Sequence, residues 1–278
     1  MPLYRNKRFG LGDYDESFLY RANQNFKKTS RREAINPPTI VQDGLVLAYD
    51  FGDKYSLNGI SAGNSVIAHD LVKVFPATTP DVRSIPAERM PLVLMNGTAY
   101  TNNKGGGLSF DGVNDGLWNN SGGALANHFG ITGNLPSTMN CWVRFNAIST
   151  DGQIFMFWGN GNTNQMRAYY HKSSRLAVAY YNNDVVSTFT PVVNRIYMVT
   201  WTENGAGSIN LYVDGIFRQT LTAASAPATS TGGILIGNGL ITATYNFNGT
   251  LFAFNIYNRV LSRNEVAQNY NATKYRYI

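Results

Sequence analysis

The chain has 278 residues, of which 44% are hydrophobic and 13% aromatic but only 14% charged. That charged fraction lies well below the usual quarter. It excludes a disordered acidic chain and a charge-laced helical bundle, and it leaves Asn, Thr, Ser, Gly and Tyr to form the polar surface. The formal net charge of +6 is concentrated at one end: residues 1–40 hold eight Lys or Arg against four acids, and the remainder is nearly neutral.

That first stretch mixes bases and aromatics without a clean period. Its candidate partner-binding residues are Tyr4, Arg5, Lys7, Arg8, Phe9, Tyr14, Phe18, Tyr20, Arg21, Phe26, Lys27, Lys28, Arg31 and Arg32. A disordered basic tail is common at a terminus, but such tails are poor in aromatics. Residues 1–40 are therefore read as an extended basic and aromatic N-terminal arm, closed by Pro37-Pro38, that anchors on a partner. Its charge suits an acidic protein surface or a polyanion; other proteins of an assembly are the expected partner, and nucleic acid is not.

From Gly44 the texture changes to short apolar or alternating runs separated by Gly, Asn and Asp clusters. Strands are predicted at 45–51, 92–95, 107–110, 139–145, 153–158, 165–170, 176–181, 185–189, 195–202 and 250–257. The clearest hairpin spans 208–219, where Asp214-Gly215 supplies the positive φ angles of a two-residue turn. Cys141, the only cysteine, excludes an internal disulfide and sits in an apolar strand as a small buried hydrophobe. No run approaches the ~18 apolar residues of a membrane span, and the start lacks the apolar core of a signal peptide. The expectation is a soluble chain made in a reducing compartment.

One helix is predicted, over 263–271. Ser262 and Glu265 form a capping box, and Leu261 and Val266 its hydrophobic staple. Many short strands and one late helix predict an all-β fold: an antiparallel two-sheet sandwich over 41–272, followed by a short tail at 273–278.

The ordered motifs resemble a known family. Gly44-Leu45-Val46-Leu47-Ala48-Tyr49-Asp50, Asp70-Leu71, Gly107-Leu108-Ser109-Phe110-Asp111-Gly112-Val113-Asn114-Asp115, Trp142-Val143, Leu211-Tyr212-Val213-Asp214-Gly215, Phe247-Asn248-Gly249 and Ile256 to Ser262 with Glu265 follow in family order. Together they resemble laminin-G-like, concanavalin A-like jelly-roll domains over about residues 44–272. The segment after Asp70 departs from the family's usual Gly-rich loop. The wording is most similar to domains in structural proteins of tailed bacteriophages that infect marine and environmental bacteria. The resemblance implies a jelly roll displayed on a virion.

Chemistry-bearing patterns are sparse. A glycosidase on this fold needs two facing carboxylates, and the five glutamates (Glu16, Glu33, Glu88, Glu203 and Glu265) are not so spaced. His69, His128 and His171 show no metal-ligand spacing and are expected in loops or at the surface. Calcium is the one ion worth weighing: Asp111 and Asp115 are oxygen donors of the type it takes, although Asp111-Gly112 also simply makes a turn. Neither a metal nor a cofactor is expected, nor catalysis. The four Asn-x-Ser/Thr sequons, at Asn96, Asn119, Asn248 and Asn271, are read as chance in an Asn- and Thr-rich chain. Tyr and Asn on sandwich loops suit a glycan or a wet protein interface equally.

The expected function is therefore a virion structural protein, a capsid decoration or a tail or fibre component anchored by the arm and self-associating. A carbohydrate-binding adhesin for host surface glycans is the alternative, and a glycosidase ranks third.

Overall fold

The computed structural model describes residues 39–53, 67–68, 92–119, 130–148, 153–159, 165–230, 233–238 and 245–278. Within the unit Ile40–Ile278 the strands are, in chain order, β1 (Leu45–Asp50), β2 (Ile67–Ala68), β3 (Leu92–Met95), β4 (Ala99–Thr101), β5 (Gly107–Asp111), β6 (Gly116–Asn119), β7 (Ser137–Phe145) and β8 (Gln153–Gly159). There follow β9 (Met166–Lys172), β10 (Arg175–Ala179), β11 (Asp184–Val186), β12 (Ile196–Glu203), β13 (Ser208–Val213), β14 (Ile216–Thr222), β15 (Ile234–Ile236) and β16 (Asn248–Tyr257), and then the helix α1 (Arg263–Tyr277).

These form two antiparallel sheets. Sheet A runs β14-β13-β12-β7-β16-β5-β4, with β1 also paired to β16, and sheet B runs β11-β10-β9-β8-β15-β6-β3-β2. The long β16 serves two partners on one edge: its first half pairs with β5 and its second half with β1, while β7 follows its other edge. The inner faces meet in one core. Sheet A contributes Leu47, Tyr49, Cys141, Val143, Val199, Trp201, Leu211 and Phe254, and sheet B contributes Leu94, Leu117, Trp158, Tyr169 and Val178. Cys141 is fully buried there, and burial pushes its thiol up, as expected of a packed rather than reactive thiol.

β7 is buried on both faces, because α1 lies across the outer side of sheet A. The Trp142 indole donates to Thr273 Oγ1 at 2.9 Å and packs between Tyr270 and Tyr277. Asn269 reaches both Tyr257 and the backbone of Val41, which ties Ile40 and Val41 into the same layer. The cap forms as the sequence predicts: Ser262 Oγ accepts from the Glu265 amide, and Glu265 accepts from Ser262 N at 2.8 Å. The helix, however, does not stop at Asn271. The residues expected as a tail are its last turns, held by Thr273, by the Arg276 guanidinium on Asp50 and Gly105, and by the buried Tyr277. Tertiary contacts override weak local propensity here. The strands β2, β4, β6 and β15, none longer than four residues, are additions to the predicted set.

Candidate functional site

The motifs that identify the chain are spent on the scaffold. Asp115 is 3% exposed, and its two carboxylate oxygens accept from Gly97 N at 2.8 Å and Asp111 N at 2.9 Å. Asp111 in turn accepts from Val113 N, and Gly112 takes φ 84 in the turn between them. The pair considered for calcium thus ties the β3–β4 turn to the end of β5. Asp214 and Gly215 adopt φ 53 and 75, the expected two-residue turn, and the Asp214 carboxylate holds Met198 N and the Arg195 guanidinium. Arg259 grips Glu265 and Asp43 and passes within 2.9 Å of where a Cβ on Gly44 would sit, so it joins the entrance of β1 to the start of α1. Glu265 is consequently held at about 2, chiefly by the Arg259 guanidinium.

Glu203 is likewise occupied. It lies wholly buried at one end of the inner core beside Arg167, whose Nε stands 3.2 Å from Oε2 without the alignment of a hydrogen bond. Tyr169 donates to Glu203 Oε1 at 2.5 Å and Tyr180 to Oε2 at 3.0 Å. Arg167 also donates to Ser137 Oγ and to the Leu135 carbonyl. Burial, then the Glu203 charge, raises the Tyr169 phenol well above its ordinary range.

His171 corrects the expectation of a loop or surface histidine. It points inward from β9, is 0% exposed, and pairs through Nε2 with Gln153 Oε1 at 2.9 Å against the edge of Phe145. Its Nδ1 finds no hydrogen-bond partner among the described residues, and burial lowers its pKa to about 4. His69, His128, Glu16, Glu33, Glu88 and every candidate residue of the N-terminal arm lie outside the described residues.

The outer face of sheet B is different in character. Among the described residues no helix crosses it. An apolar layer of Met166, Ala168, Tyr170, Ala177, Ala179 and Leu235 is rimmed by half-buried Met95, Trp118, Tyr181 and Val186. Strand alternation explains the set: on β9 and β10 the even-numbered face of one strand registers with the odd-numbered face of the other, so Tyr170 pairs with Ala177 and Ala168 with Ala179. The small alanines leave room for Tyr170 to reach across β10 toward Asp184, which pairs in register with Ala179. The Tyr170 phenol is raised by burial, then by the Asp184 charge, and Tyr245, itself 38% exposed, lies near enough to act on it. Lys172 Nζ meets Asp184 Oδ2 at 2.7 Å in a partly exposed pair.

Both turns that bound β10 are strained. Ser173 and Ser174 take φ 50 and 62, and Tyr181 and Asn182 each take φ 56. The left-handed region suits Gly or Asn and is an outlier for a bulky ring. Holding Tyr181 there sets its ring against the rim of this face, the kind of stored strain that accumulates at functional sites. Aromatic rims beside a few polar groups suit ligands that offer both apolar and hydroxyl surface. The sequence predictions missed this set. The signal available was a pair of strands, Met166–Lys172 and Arg175–Ala179, whose connecting turns carry Ser-Ser and Tyr-Asn in place of Asn-Gly.

A family model described as the concanavalin A-like lectin/glucanases superfamily matches residues 119–267. Comparison with curated proteins found no match. Among solved structures the chain is similar to the receptor binding domain of botulinum neurotoxin C/D mosaic serotype, at TM-score 0.59 and 13% identity, covering 84% of this chain and 52% of that one. It is also similar to a sialidase of Trypanosoma rangeli, at TM-score 0.55 and 15% identity, covering 83% of this chain and 33% of that one. A third similar structure is domain 4 of AbnA, an extracellular GH43 arabinanase from Geobacillus stearothermophilus, solved in complex with arabinotriose. There the TM-score is 0.51 and the identity 14%, covering 81% of this chain and 97% of that one. The chain thus spans about a third of the sialidase and half of the toxin domain. At these identities the likeness is one of fold.

Proposed function

This chain belongs to the concanavalin A-like lectin/glucanases superfamily, and from that premise we propose that its sandwich binds glycan without acting on it. The observation that carries the reading is the outer face of sheet B, where the strained Tyr181 and the exposed Tyr245 stand beside the buried Tyr170 and the partly exposed Lys172–Asp184 pair. Rings of this kind present a face to the apolar side of a sugar, and the charged pair serves its hydroxyls. The similar arabinanase domain was solved with an oligosaccharide, which supports the same reading. Non-catalytic binding is favoured because the two glutamates within the described residues are already engaged, Glu203 in a buried cluster and Glu265 in a helix cap.

The second part of the proposal concerns where the module is displayed. The basic and aromatic residues of 1–40 lack a sandwich pattern, and aromatic and Arg anchors dominate protein interfaces. The motif wording resembles phage structural domains. Together these favour a surface component of a bacteriophage particle, joined by the arm and presenting the sandwich to host glycans.

The test is a glycan array probed with the full chain and with Tyr181→Gly. Glycine relieves the left-handed turn and removes the ring, so the variant should keep its melting temperature within a few degrees while array binding falls at least tenfold. A folded wild-type chain that binds no saccharide would overturn the reading. Labelling particles with an antibody to the sandwich tests the display; no signal on virions would remove that part.

A further inference from the structure

We infer that the glycan taken by this face is acidic, its carboxylate or sulfate group seated on Arg175; the inference rests on the glycan-binding reading above. Arg175 and Lys172 are directly opposite in the β9–β10 register, on the outer face, on either side of the strained Ser173–Ser174 turn. Like charges placed opposite each other across an antiparallel pair are destabilising. Asp184 relieves this only for Lys172, which it meets at 2.7 Å. Arg175 is exposed and has no acidic partner among the described residues.

The result is an uncompensated positive charge at the Ser173–Ser174 end of β10, with the Tyr181 ring at the other end. The six residue steps between Arg175 and Tyr181 span about 20 Å, the reach of a short chain of sugars rather than a single ring. A guanidinium fork matches a carboxylate or sulfate bidentately. An anionic ligand therefore relieves the Arg175–Lys172 repulsion as it binds, whereas a neutral one leaves it in place. His171, the adjacent titratable group on β9, faces the interior with its pKa lowered to about 4 and adds no charge to this surface at neutral pH.

The experiment is calorimetry of the full chain with a short oligouronate, a sulfated oligosaccharide and a neutral arabino-oligosaccharide of matched length. The acidic chains are expected to bind at least tenfold more tightly than the neutral one, and the carboxylate and sulfate arms decide which anion is preferred. Arg175→Gln, an exposed substitution, should lose about tenfold for the acidic chains, leave neutral binding unchanged and keep the wild-type melting temperature. Equal affinity for neutral and acidic chains, unaffected by Arg175→Gln, would overturn the acidic preference and leave the glycan reading standing. Binding to any polyanion, double-stranded DNA included, that ignores Tyr181→Gly would reduce the site to bare charge and overturn the inference. No binding to any of the three saccharides would remove both readings.

Discussion

Arg167 and Glu203 sit between the sheets with no exposed side-chain surface, where two charges are costly unless each satisfies the other. Removing one partner leaves an uncompensated buried charge, so Arg167→Met should cost about 3–5 kcal/mol in urea denaturation. A loss below about 1 kcal/mol would mean that the two tyrosine hydroxyls alone satisfy the carboxylate. His171 sets a different sensitivity. The folded state keeps its ring neutral, with a pKa of about 4 against about 6.5 for an ordinary histidine, so protons bind preferentially to the unfolded chain between those values. Its contribution is therefore fully present above pH 6.5 and is lost as pH falls toward 4, by about 3 kcal/mol in all. Melting temperature against pH should show this slope in the wild type and a shallower one in His171→Gln; identical slopes would show that other groups dominate acid unfolding.

The helix α1 gains its stability from two sources of unequal size. The capping box supplies about 1 kcal/mol, and Ser262→Ala should lower stability by that amount. Packing supplies more: Tyr277 is 1% exposed and lies against Trp142 and Phe252, so Tyr277→Ala should cost about 3–5 kcal/mol. It should also shift Trp fluorescence to the red as the indole of Trp142 meets water. If Ser262→Ala proves the costlier change, α1 stands by local propensity and its layer on sheet A is dispensable. The same comparison explains why the helix end is hard to read from the chain. Thr273, Tyr275 and Tyr277 are weak helix formers, and the residues that hold the last turns, Trp142, Asp50 and Gly105, are remote in sequence.

For the molecule as a whole, the clustered charge and the neutral sandwich suggest a division of labour. A chain beginning at Thr39 retains Ile40 and Val41, which pack with α1. It is expected to fold, to keep its glycan affinity and to fail to join particles or self-associate. Normal incorporation of that truncated chain would place assembly on the sandwich surface. Salt separates the arm's possible partners, because sequence-independent attachment to nucleic acid weakens steeply with ionic strength and an aromatic-anchored protein contact does not.

The strand positions, the Asp214-Gly215 turn, the capping box and the sandwich class were legible in the chain because they depend on local rules: side-chain alternation, positive φ at Gly, and the reach of Ser262 and Glu265 over three residues. The ordered motifs pointed to the same fold, yet the residues that make them recognisable turned out to be struts. Asp115 and Arg259 bind backbone and partner side chains of the scaffold. The candidate site has the opposite character. Tyr170, Lys172, Arg175, Tyr181 and Asp184 come from three neighbouring strands and one turn. They meet because antiparallel register stacks Tyr170 over Ala177, Ala168 beside Ala179 and Arg175 against Lys172. Register is set by long-range pairing and shared burial, which a linear pattern does not encode. The same holds for His171, whose alternation on β9 turns it into the core.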